Sequence, residues 1–301
     1  MPKVKVIALI CLMAFSLVSC TKTPQDPYAK GDIMELKSDK ARYNPSEPVT
    51  LTIELDPSRK ITQAQTLKVV FKHQDNTVEE QTEELPSRQH HRELQWLSPS
   101  EDFNGYLIEV SLMEKSTILD QRNIAVDVSS SWTRFPRYGY LADFSQKTPS
   151  EIDLIVDQLN RYHLNGFLFY DWQAQHDQPL PLDPVGEDGF WLNIANEKVY
   201  FSTVKGYIEA LHQRNMMASN YNLVYGAYEA YALAHPEQGL YKDTKQAIQD
   251  KHDLPESWAS DLYLINPDDL TWQDHYIQME NAVLSQLSFD VMHLDTLGSR
   301  G

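Results

Sequence analysis

The hydrophobic period of this chain changes once, at Ser129-Ser130-Ser131-Trp132, and that change constrains the fold more than any other feature. Before it, apolar residues recur at every second position. Val49, Leu51, Ile53 and Leu55 alternate with Thr50, Thr52 and Glu54, which sends one face of a strand into a core and the other into water. Leu67 to Phe71 leads through a turn at His73-Gln74-Asp75-Asn76 into Val78 onward, and Tyr106 to Met113 and Ile118 to Val128 follow at hairpin spacing. Short strands over 31–129 predict a β-sandwich. After the break, helix signals alternate with apolar runs, the pattern of βα units around a parallel sheet.

Tyr138 to Asp143 predicts the first of these strands. Thr148-Pro149-Ser150-Glu151 then forms a capping box with proline at the first helical position, followed by Ile152, Ile155, Leu159 and Tyr162 on one face. Gly166 to Tyr170 is the second strand, and its Phe-Leu-Phe run fits a strand covered on both sides. A long excursion, Asp171 to Phe201, precedes a helix marked by Val204, Tyr207, Ile208 and Leu211; such insertions usually build binding surfaces. Met217 to Tyr221 is the third strand and Leu262 to Asn266 a short extended piece. A helix capped at Asp268-Asp269, carrying Trp272, Tyr276, Met279, Val283 and Leu287, leads to a strand ending at Asp295. A closed barrel needs eight such units and about 250 residues. Only 170 residues run from Trp132 to Gly301, so the expectation is half a barrel, truncated at about strand 4, and a fragment of a longer enzyme.

The 43 acidic against 26 basic residues give a formal charge of -17 with no long basic run. That balance disfavours nucleic acid and anionic lipid as partners. Lys3 and Lys5 precede an apolar run from Val6 to Val18 that is short for a bilayer span and right for a secretory signal. It ends in Leu17-Val18-Ser19-Cys20, which looks like a bacterial lipoprotein cleavage box. On that reading 1–20 is the signal peptide, Cys20 is lipidated, 21–30 is a tether, and the protein is exported and membrane-anchored through its lipid. An ordinary signal peptide containing a cysteine is the alternative. Both cysteines, Cys11 and Cys20, fall in this segment, so the folded body holds no disulfide or thiolate metal site.

Within 31–129, His90-His91-Arg92 invites a functional story, but adjacent histidines on a strand face opposite ways and have no third ligand at useful spacing. A solvated loop is the expected account. No phosphate loop, nucleotide fingerprint or metal-ligand spacing is present, and no cofactor is expected.

Candidate chemistry gathers at the strand ends. Asp143, Tyr170-Asp171-Trp172, His176, Tyr221-Asn222 and Asp295 all follow strands, and that is the end of a parallel α/β barrel where catalytic side chains sit. Sugars offer apolar C–H faces and rims of hydroxyls, so a carbohydrate cleft needs flat aromatics beside hydrogen-bonding groups. Each residue also has a plainer reading. Asp295 alone reads as a cap for a following helix; Tyr170 and Trp172 could be core aromatics; Asp143 could orient a neighbour.

Four segments, Gly139 to Phe144, Leu164 to Gln173, Asn215 to Ala227 and Asp290 to Gly298, in this order behind a β-sandwich that carries Asp39-Lys40-Ala41-Arg42-Tyr43-Asn44-Pro45, resemble glycoside hydrolase family 66. These are the dextranases and cycloisomaltooligosaccharide glucanotransferases, and the resemblance covers about Lys37 to Gly301. It implies an immunoglobulin-like N-domain over 31–129, then a (β/α)8 TIM barrel, of which 130–301 would be the first half. It also implies retaining cleavage of α-1,6-glucan by an aspartate after the fourth strand and a glutamate acid/base after the sixth. Asp295, in His293-Leu294-Asp295-Thr296-Leu297-Gly298, matches the nucleophile motif. Tyr170, Asp171, Trp172, His176, Tyr221 and Asn222 fall in segments similar to those lining the family's subsites. The acid/base has no counterpart in this sequence, and Glu187, Glu197, Glu229 and Glu280 are not promoted to that role. Three functions stay open: hydrolysis of dextran and isomaltooligosaccharides, transglycosylation to cycloisomaltooligosaccharides, and glucan binding without cleavage. A chain of this length is expected to be inactive alone.

Overall fold

The computed structural model describes residues 31–295 apart from 60, 62, 87, 183–185, 187–188, 244, 246 and 247. The signal, Cys20, the tether and Thr296-Leu297-Gly298 lie outside the described residues.

Seven strands form the first part: β1 Ile33–Ser38, β2 Pro48–Leu55, β3 Gln65–His73, β4 Asn76–Leu85, β5 His91–Leu97, β6 Asn104–Glu114 and β7 Thr117–Val128. They make two antiparallel sheets, ordered β1-β2-β5 and β4-β3-β6-β7. The alternation read from the sequence is what joins them. Val49, Leu51 and Ile53 of β2 face Val69 and Phe71 of β3 and Ile108 and Val110 of β6 in one core, and all seven are fully buried. Trp96 stacks on Phe71 at 4.6 Å. The turn between β3 and β4 places Gln74 in left-handed backbone at φ 54°. Of the histidine pair, His90 lies in the loop expected for it and His91 does not. His91 opens β5, with Nδ1 2.6 Å from Glu54 Oε1, and His90 Nδ1 lies 2.7 Å from the Arg59 guanidinium. A cross-strand pair with Glu54 holds His91, and the guanidinium donates to the His90 ring.

The second part contains β8 Tyr138–Leu141, α1 Pro149–Arg161, β9 Gly166–Phe169, the hairpin β10 Phe190–Leu192 and β11 Lys198–Tyr200, and α2 Phe201–Gln213. There follow β12 Met217–Leu223, β13 Gly226–Ala227, α3 Glu229–Ala234, β14 Lys251–His252, β15 Leu262–Leu264, α4 Leu270–Leu284 and β16 Val291–Asp295. Strands β8, β9, β12 and β16 pair in chain order, all parallel. The capping box is formed: Thr148 Oγ1 accepts from the Glu151 backbone and the Glu151 carboxylate accepts from the Thr148 backbone at 2.8 Å. Asp269 caps α4, accepting from Trp272 N at 2.9 Å. Tyr162 is not on the buried face of α1. The helix ends at Arg161 and Tyr162, its C-cap, is 77% exposed, while Ile152 and Val156 are buried.

One core lies between the helices and the sheet, joining Val204, Tyr207, Ile208 and Leu211 of α2 to Phe167 and Phe169 of β9. Two long connections, β9 to α2 and β12 to α4, both leave the C-terminal ends of their strands. The two parts meet at the other end of the sheet. Asn160 Nδ2 donates to Ser38 O at 2.7 Å, Asn215 Nδ2 donates to Arg42 O at 2.8 Å, and Ala41 is buried in the second core.

Candidate active site

Beyond the C-terminal ends of β9, β12 and β16 opens a cleft of about 830 Å³, bordered by Tyr170, Asp171, His176, Tyr221 and Asp295 on the sheet side. Parallel pairing explains why these groups meet. Tyr221 lies opposite His293 in the register and Leu223 opposite Asp295, so Tyr221 and Asp295 are diagonal neighbours on adjacent strands, within reach of a long side chain. Tyr221 Oη donates to Asp295 Oδ2 at 3.0 Å. Burial, and after it the neighbouring Tyr170, Asp171 and Asp295, push the Tyr221 phenol far above its usual range, so it remains a donor at any ordinary pH. Its ring lies 4.7 Å from that of Tyr170 and 6.1 Å, nearly parallel, from the His293 imidazole. The result is an aromatic wall ending in a carboxylate.

Asp171 lies two residues beyond the end of β9 with φ 50°, a left-handed conformation that Asp tolerates better than most side chains. Burial, then the negative charge of Asp295 and Glu197, raises its carboxyl to about 6. It therefore keeps its proton into mildly acidic solution. His176 is 3% exposed and depressed to about 4 by burial, so its ring is neutral at neutral pH. Its Nδ1 lies 2.9 Å from Asn222 Oδ1.

Three of the sequence-derived candidates take other places. Trp172 is fully buried, packed 6.0 Å from Trp191 and 5.4 Å from Phe289, with its indole N–H donated to Asn220 Oδ1 at 3.0 Å. The left-handed turn at Asp171 swings the chain so that Tyr170 faces the cleft and Trp172 the core. Asn222 is 1% exposed and lies behind His176 rather than on the cleft surface. Asp143 stands in a separate depression with Asn193 and Glu197. Against the cost of its partial burial, hydrogen bonds from Lys147 and Ser145 hold Asp143 down at about 2.

The facing wall was not legible in the sequence. Lys251 and His252 of β14, Asp253, Leu254 and Trp258 come from the connection between β12 and α4, and Ile194 from the β9–α2 connection. Lys251 pairs with Asp253 at 3.2 Å and with Asp261. That connection has no hydrophobic period, and Trp258 amid polar residues was its one signal. Glu280 was also missed as part of the site's support: it is 4% exposed on α4 and accepts from Asn220 and Asn222. Among the described residues no three metal-ligating side chains gather into a metal centre.

The family model for glycosyl hydrolase family 66 matches residues 38–301. A cycloisomaltooligosaccharide glucanotransferase of Niallia circulans is 29% identical over 99% of this chain and 31% of its own length. A dextranase of Streptococcus salivarius is 24% identical over 68% of this chain and 26% of its own. The crystal structure of a Paenibacillus cycloisomaltooligosaccharide glucanotransferase complexed with cycloisomaltoheptaose superposes with a TM-score of 0.80 at 29% identity, covering 90% of this chain and 39% of that one. The chain thus spans about a third of the length of the relatives it matches.

Proposed function

The chain belongs to glycosyl hydrolase family 66, and from that premise we propose that its cleft takes α-1,6-glucan and that Asp295 is the nucleophile of a retaining glycosyl transfer. The observation that carries this reading is the Asp295 carboxylate at the end of β16, oriented by Tyr221 Oη at 3.0 Å and flanked by the Tyr170 ring. A carboxylate in one fixed rotamer beside a flat aromatic suits attack on an anomeric carbon whose ring stacks alongside. The glucosyl-enzyme so formed passes to water in hydrolysis or to a sugar hydroxyl in transglycosylation, and the names of the relatives include both outcomes. Asp171 and His176 are assigned to sugar hydroxyls, and Asp143 to a distal or structural role.

Retaining chemistry also needs a second carboxyl roughly 5 Å from the first to protonate the leaving oxygen. Among the described residues no glutamate borders the cleft. Asp171, Asp250 and Asp253 do border it beside Asp295, and glucan binding without turnover by these 301 residues is the second reading. In the same proposal, 31–129 is an immunoglobulin-like sandwich and 130–301 the first four βα units of a (β/α)8 barrel, supported by parallel strands pairing in chain order. Residues 1–30 would export and lipidate the protein at Cys20; incorporation of labelled palmitate, abolished by Cys20→Ala, tests that.

The nucleophile is testable without its acid partner, because fluoride leaves from an activated α-glucosyl fluoride with no need of protonation. Incubation with a 5-fluoro-α-glucosyl fluoride should release the anomeric fluoride and add one 5-fluoroglucosyl mass to the Asp295 peptide. An unmodified peptide, or an adduct elsewhere, would overturn the assignment.

A further inference from the structure

Glu280 is a carboxylate in the core, raised by burial and used in no step above. Its two oxygens accept from Asn220 Nδ2 at 2.7 Å and Asn222 Nδ2 at 2.5 Å. The asparagines are two residues apart on β12, which puts both side chains on one face of the strand, and their bonds to Glu280 turn that face toward α4. An amide gripped by its NH2 group has one orientation left for its oxygen. Asn220 Oδ1 accepts the Trp172 indole N–H at 3.0 Å, and Asn222 Oδ1 accepts the backbone N–H of Leu223 at 2.8 Å. Asn222 is thus fixed at both ends, with Oδ1 an acceptor 2.9 Å from His176 Nδ1.

Two bare acceptors do not rest at that distance, so Nδ1 must carry the ring's hydrogen. Gln173 Nε2 also lies 2.9 Å from Nδ1, but it has two other acceptors, Tyr221 O and Asn222 Oδ1, each at 3.3 Å. Flipping Gln173 would set its oxygen against both. Its contact with Nδ1 favours a bare nitrogen and so competes with Asn222, but Gln173 keeps two other acceptors if it yields, whereas Asn222 is held by Glu280, by His176 O at 3.0 Å and by the Leu223 N–H.

We propose that Glu280 is a positioning residue which, through Asn222, holds His176 in the Nδ1–H tautomer and leaves Nε2 as the nitrogen able to accept a hydrogen bond at the cleft. The ligand class this suits is a hydroxyl donor, and naming it a glucan hydroxyl rests on the function proposed above. The tautomer itself does not.

Long-range 1H–15N correlation spectra of the 301-residue chain test this, with the His176 signals assigned by their loss in His176→Gln. The native protein should show the 15N pattern of an Nδ1–H ring. In Glu280→Leu both asparagines lose that acceptor, Asn222 keeps only His176 O at 3.0 Å for its NH2 group, and the Nε2–H pattern should become populated. A purely structural Glu280 would lower the melting temperature and leave the pattern unchanged. The proposal is overturned by an Nε2–H ring in the native spectrum, which decides the matter even where the variant does not fold. An identical Nδ1–H pattern in a folded Glu280→Leu overturns it as well. No sugar is added, so a chain that binds no glucan would sink the proposed function and leave this result standing.

Discussion

Tyr221 on β12 donates its phenolic hydrogen to the Asp295 carboxylate on β16 at 3.0 Å. Replacing it by phenylalanine keeps the ring beside Tyr170 and removes only that donor. We expect Tyr221→Phe to slow labelling of Asp295 by an activated glucosyl fluoride about tenfold, the rate equivalent of one hydrogen bond to a charged group, and to reduce stability by about 1 kcal/mol. Labelling at the native rate, followed by mass spectrometry, would mean that Asp295 needs no such orientation.

Asp171 should make stability depend on pH in an unusual direction. Its carboxyl is raised from 3.8 to about 6 in the folded chain, so the folded state holds a proton that the unfolded state has already released. This contribution is fully present below pH 3.8 and is lost as pH rises through about 6. Asp171→Asn, which tolerates the same left-handed backbone, removes the dependence. The variant should gain on the native chain between pH 4 and 7, by about 1 kcal/mol after solvent screening. A melting-temperature difference that stays flat over that range would contradict the assignment.

Tyr170 and Trp172, two residues apart, should behave as opposites. Trp172→Ala empties a fully buried site among Trp191 and Phe289 and should cost about 3–5 kcal/mol in urea unfolding. Tyr170 is 41% exposed, so Tyr170→Ala should change stability by about 1 kcal/mol or less and weaken isomaltotriose binding in a calorimetric titration. Comparable losses of stability in both would place Tyr170 in the core.

How far the sequence revealed the site can be read from that pair. The end of β9 was legible from its Phe-Leu-Phe run, but strand parity alone would send Tyr170 and Trp172 to the same side. The left-handed residue between them decides otherwise, and nothing in the letters Tyr-Asp-Trp announces φ 50°. The strand β2, the capping box at Thr148 and the carboxylate at the end of β16 were legible because each rests on local spacing. Strand β1, with Met34 63% exposed and three of its six residues half-buried, carries too weak an alternation to be found. The extended piece at Leu262 was legible as β15, but the two-residue strands β13 and β14 owe their form to pairing with it, and so does the cleft wall they support.

If these 301 residues bind glucan without turnover, the second reading above, dextran affinity gels should retain the chain and no reducing ends should be released. Release of isomaltooligosaccharides that stops in Asp295→Asn would require an acid from within these residues, and Asp171, protonated up to about pH 6, would then be the first to test by substitution.

The joint between the two parts of the molecule is made by the amides of Asn160 and Asn215 gripping the backbone carbonyls of Ser38 and Arg42. Carbonyl oxygens are common to every amino acid, so these grips do not read the identity of the residues they hold. Related chains can therefore drift at 38 and 42 without losing these two grips, provided both asparagines stay, whereas Ala41, buried in the second core, stays limited to a small side chain. Because the joint lies at the opposite end of the sheet from Asp295, such drift would leave the cleft undisturbed.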